Sequence, residues 1–68
     1  MDAKSIIAKF NETLHDLNAC IAQTTGDERE HYKAMREGAI QTITRFGYEV
    51  TKDWDKDASV WTYRIASE

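Results

Sequence analysis

The stretch TRFGYEVTKDW, residues 44–54, decides the fold, because the hydrophobic period changes inside it. Upstream, apolar residues recur at helical spacing; from Tyr48 onward they alternate. Gly47 stands at the change, where a left-handed residue can end a helix, with Tyr48 placed to touch Ile43 behind it. Beyond it, Tyr48, Val50 and Trp54 share one face of YEVTKDW, and Trp61, Tyr63 and Ile65 share one face of VWTYRI. β-branched and aromatic residues dominate both runs. Pairing Trp54 with Trp61 also pairs Val50 with Ile65. It gives an apolar face interrupted only by Lys52, with Glu49, Thr51, Asp53, Thr62 and Arg64 on the other side.

Upstream of the junction, EREHYKAMREGAIQTITRFG places Tyr32, Met35, Ala39, Ile43 and Phe46 on one helix face. Gly38 lies inside it at a cost of about 1 kcal/mol against alanine; a close approach by the first helix or another chain is the expected compensation. Further upstream, DAKSIIAKFNETLHDLNACIAQ steps through Ala3, Ile7, Phe10, Leu14, Leu17 and Ile21 at alternating intervals of four and three, with Ile6 widening the stripe. Asp2 suits the N-cap, and Met1 is placed to pack on Ile6. TTGD interrupts, offering two capping boxes, Thr25 with Glu28 and Asp27 with Glu30. The expectation is a single α+β domain over residues 1–68. It comprises antiparallel helices at 2–23 and 28–46, then a C-terminal β-hairpin with strands 48–54 and 60–66 packed on them.

The reversal of that hairpin is DWDKDAS, Asp53–Ser59. Three alternating aspartates open a calcium loop, but its sixth position here is Ala58 rather than glycine and its twelfth is Arg64 rather than glutamate. The stretch reads as a turn whose carboxylates bond nearby amides, or as a partner contact through Asp53, Asp55 and Asp57. His15, His31 and Cys20 lack zinc-ligand spacing. Cys20 sits beside the apolar seam as a small hydrophobe, with no activating base on its own face. No phosphate-cradling loop, paired carboxylates or triad is visible, so neither a cofactor nor an enzymatic activity is expected.

The chain has 68 residues, 9 basic against 12 acidic, and a net charge of −3. An acidic balance argues against a nucleic-acid ligand. One alternative remains: Arg29, Lys33 and Arg36 form a basic stripe beside a β wing, as in a small DNA-binding regulator. Glu28, Glu30 and Glu37 flank that stripe, and the wing tip is acidic. With one cysteine, no basic-then-apolar leader and no long apolar run, the expectation is a cytoplasmic chain free of the membrane. A domain this small, without disulfide or metal, has a thin core. Its seven aromatic residues and two apolar stripes therefore suggest a homodimer. Ile7, Phe10 and Leu17 are shared between core and interface. The Trp54–Trp61 face of the hairpin is expected to cover the helices, and where Trp54, Trp61 and Tyr63 stay exposed they serve as partner anchors.

EREHYKAMREGAIQTITRFGYEV, residues 28–50, resembles a pattern in short helix-hairpin accessory proteins of bacterial phages and mobile elements. The resemblance is carried by Tyr32, Met35, Phe46, Gly47 and Tyr48. It implies a small non-enzymatic protein that binds, and in some cases inhibits, another protein such as a host-defence component.

Overall fold

Asp2 starts the first helix as a cap: its carboxylate accepts from Ser5 N at 2.8 Å, satisfying an amide with no partner inside the helix. A computed structural model describes residues 2–66, so the expected Met1–Ile6 contact lies outside the described residues. Helix α1 runs Ala3–Gln23 and α2 Gly26–Arg45, followed by strands β1, Val50–Asp55, and β2, Val60–Ile65. The architecture is two packed helices followed by an antiparallel hairpin packed against them.

α2 begins two residues earlier than its sequence suggests. Gly26 adopts a left-handed φ of 61°, which turns the chain sharply enough for Thr24 and Thr25 alone to connect the helices. Thr25 occupies the cap position without a side-chain cap bond, so its capping box does not form. Thr24 instead donates its hydroxyl to Cys20 O at 2.7 Å, and Arg29 Nε reaches back to Thr24 O at 2.7 Å. At the other end, Gly47, with φ 94°, ends α2 in a Schellman motif. Gly47 N donates to Thr44 O at 2.9 Å and Tyr48 N to Ile43 O at 3.3 Å. That use of Tyr48 delays β1 to Val50. The hairpin register pairs Val50 with Ile65 and Trp54 with Trp61, as the alternation requires.

The core is thin. Leu14, Leu17, Ile21, Ile43, Val60 and Ile65 are the buried apolar residues among those described. Leu14, Ile43 and Ile65 form its centre, with Ile7, Phe10, Ala39, Ile40, Tyr48 and Val50 packed around them. The inward face of α2 keeps Tyr32, Ala39 and Ile43 of the expected stripe but not Met35 or Phe46. Met35 is exposed and Arg36 is buried in its place, because Arg36 lies nearer the line through Tyr32, Ala39 and Ile43. Gly38 has open space where a Cβ would stand, so no close approach within the chain explains it.

Candidate protein-binding surface

The hairpin meets the helices through the outer edge of β2. Side chains of α1 and α2 occupy the hydrogen-bonding positions that a third strand would otherwise fill. Asn18 bonds both backbone polar groups of Tyr63: its Oδ1 accepts from Tyr63 N at 3.3 Å and its Nδ2 donates to Tyr63 O at 2.9 Å. Asn11, one heptad earlier, accepts from Ile65 N at 2.9 Å. Arg36 Nη1 donates to Trp61 O at 2.8 Å and to Asn18 Oδ1 at 3.0 Å. Three side chains thus seal the edge and satisfy backbone groups that burial would otherwise leave unpaired.

Arg36 is the keystone of this arrangement. It is 7% exposed, and its guanidinium lies 4.4 Å from the centre of the Tyr63 ring. Burial lowers its pKa from the usual arginine range, opposed by attraction to Tyr63 and Glu37. Arg36 is therefore withdrawn from the basic stripe that the sequence suggests. The other members of that stripe are engaged more loosely. Arg29 closes the helix connection, and Lys33 pairs with Glu30 at 3.4 Å on the surface.

The far end of the apolar hairpin face is open. Trp54 and Trp61 pack edge to face, ring centres 5.2 Å apart, yet remain 50% and 42% exposed. The expectation that this pair covers the helices fails because β2 presents its edge to α1, and only the Val50–Ile65 end of the face reaches the core. Lys52 Nζ lies over the Trp61 ring at 4.5 Å. Between the tryptophans and α2 runs an open groove of about 480 Å³, whose lining includes Arg29, Lys33, Arg36, Glu37 and Tyr63. A second apolar spot lies elsewhere: Phe46, 63% exposed, leans on Phe10 at 5.7 Å. Phe10 also meets Tyr48 edge on. Ile7 and Phe10 are half-buried against the core, and Leu17 is buried.

The aspartates form a turn. Asp55 Oδ1 accepts from Asp57 N at 3.0 Å and Ala58 N at 3.2 Å, and Ser59 completes the reversal with φ 55°. Asp53 reaches across the strands to Arg64 Nε at 3.4 Å. Among the described residues, no three His, Cys, Asp or Glu side chains gather to hold a metal. His15 and His31 are exposed and Cys20 is half-buried.

Sequence reasoning did not find Asn11 and Asn18. Their signal is present: two asparagines, poor helix formers, stand seven apart beside Leu14 and Leu17, where the seam should border the next layer. The fold and surface together define a small α-α-β-β domain whose hairpin is locked along one edge and open along the other. Comparison with family models, with curated proteins and with solved structures finds no match.

Proposed function

We propose that this chain is a non-enzymatic protein-binding module that engages its partner through the Trp54–Trp61 surface. One observation carries the reading. Two adjacent tryptophans are left half-exposed in a chain whose core is otherwise short of large buried side chains. Tryptophans so placed are favoured interface anchors, and the neighbouring charges of Lys33, Glu37 and Lys52 supply a polar rim. The alternative of a nucleic-acid contact loses support from the burial of Arg36, which leaves Arg29 and Lys33 as the stripe. No described helix is long and apolar enough to cross a membrane.

Capture from a lysate of the native cell tests the reading. Immobilised wild-type chain retains a protein that the Trp54→Ser, Trp61→Ser double variant, with an unchanged circular dichroism spectrum, does not. Equal capture by both refutes it.

Self-association is a second reading, favoured by exposed Met35 on α2 and exposed Phe46 just past its end, both outside the tryptophan groove. Light scattering at high micromolar concentration separates a dimer from a mass of 7.8 kDa. A dimer's melting temperature also rises with concentration.

A further inference from the structure

The two edges of the hairpin are treated oppositely. On β2, the outward backbone groups of Trp61, Tyr63 and Ile65 meet Arg36, Asn18 and Asn11. Because Val50, Lys52 and Trp54 stand opposite Ile65, Tyr63 and Trp61, their own amides and carbonyls point to the other side. No side chain of the described residues bonds them, and α2 meets β1 only lightly. We propose that this β1 edge accepts an extended segment of another protein as a third, antiparallel strand, with an acidic residue opposite Lys52 and apolar residues two positions to either side.

The chemistry of the occupant follows from the edge itself. A strand laid on β1 sets its side chains opposite Val50, Lys52 and Trp54 on the face that already holds Trp61 and Tyr63. Val50 and Trp54 call for apolar neighbours. Lys52 is the only charge of β1 on that face, and a carboxylate opposite it forms a favourable cross-strand pair. The proposal rests on the tryptophan surface being the binding surface, since Trp54 belongs to both.

A second copy of this chain fits the same edge poorly. Twofold pairing of β1 with itself must keep outward residues opposite one another, and the registers that engage at least two outward residues of β1 are centred at Thr51, Lys52 or Asp53. The first sets Glu49 against Asp53, the second Lys52 against its own mate, and the third Asp53 against its own mate. Like charges directly opposite are destabilising. The edge therefore discriminates against its own kind while remaining open to a strand with an acidic centre.

The probe is a seven-residue peptide, threonine alternating with valine, glutamate and valine, so that valines flank the central glutamate at two positions' distance. Its control carries lysine at the centre. Nuclear magnetic resonance titration of the wild-type chain is expected to protect the amides of Val50, Lys52 and Trp54 from exchange. It should also favour the glutamate peptide by roughly fivefold, the scale of one cross-strand charge pair. Lys52→Glu reverses the preference. Lys52→Pro removes an outward amide that the hairpin does not use and abolishes binding, while the Thr51–Arg64 and Asp53–Thr62 pairs keep their protection. Equal binding of the two peptides overturns the proposal, as does protection of the three amides by rising protein concentration without peptide. Peptide-induced shifts at Trp54 and Trp61 with unprotected β1 amides overturn strand addition but leave the tryptophan surface standing. The lysate capture decides that surface separately.

Discussion

Truncation of Arg36 is the sharpest perturbation this structure offers. The guanidinium makes two hydrogen bonds, to Asn18 Oδ1 and Trp61 O, and lies over Tyr63. Each charge-assisted bond contributes about 1.5–3 kcal/mol and the ring contact about 1–2 kcal/mol. Removing the charge from water costs several kcal/mol and offsets much of that sum. Arg36→Ala recovers the desolvation but strands Trp61 O, at about 1–3 kcal/mol, and opens a void beside Tyr63. The net loss is expected at about 2–4 kcal/mol, the scale of breaking a buried polar network. A chain of 68 residues has a total stability of roughly 3–10 kcal/mol at typical per-residue values. In urea, with a slope of about 1 kcal/mol per molar, the midpoint falls by about 2–4 M. Arg36→Met fills the space without a charge to bury and loses about 1 kcal/mol, since only the carbonyl suffers. A double-mutant cycle with Asn18→Ala should give a coupling of about 1 kcal/mol. A loss below about 0.5 kcal/mol for Arg36→Ala, with no coupling to Asn18, would refute the edge clamp and return Arg36 to the surface stripe.

Leu14 is fully buried at the centre of the core, so Leu14→Ala should cost about 2–5 kcal/mol in the same unfolding assay. A loss that is barely measurable would break the α1 seam. Gly38→Ala should stabilise the chain by about 1 kcal/mol, because open space surrounds it inside α2; destabilisation that grows with protein concentration would mean a second chain packs there. Gly47→Ala should instead cost about 1 kcal/mol, since φ 94° suits glycine. Asp55→Asn keeps the oxygen that Asp57 N and Ala58 N use and should melt within a degree or two of wild type, calcium leaving both unmoved; a calcium-dependent rise would show a metal loop. The Asp2 carboxyl is held below its ordinary value of 3.8 by hydrogen bonds from Ser5. Its capping contribution is therefore complete above that pH and fades as pH falls through the lowered folded value. Helicity measured from pH 5 to pH 2 should decline more in wild type than in Asp2→Asn, and parallel curves would remove Asp2 from the cap.

Much of the fold is legible because it depends on short-range periodicity. The seam of α1, the stop at Gly47 and the Trp54–Trp61 register each follow from residues within a few positions of one another, whose spacing admits one regular structure. The burial of Arg36 is not legible in the same way. Its position lies inside the apolar stripe of α2, but its charge assigns it to the surface until partners appear from α1 and β2. The open tryptophan pair was hidden for a related reason: alternation tells which side chains share a face, not which end of that face the helices cover.

The sequence alone therefore determined the order, type and pairing of the elements, since helix period, glycine stop and strand alternation are local properties. The tertiary structure decided how the hairpin sits. Its β2 edge turns toward α1 because Asn11, Asn18 and Arg36, far apart in the chain, converge on backbone groups that could not be buried unpaired. That choice leaves Trp54, Trp61 and the β1 edge facing outward. Such a choice rests on satisfying hydrogen bonds across long sequence separations, which no local pattern encodes.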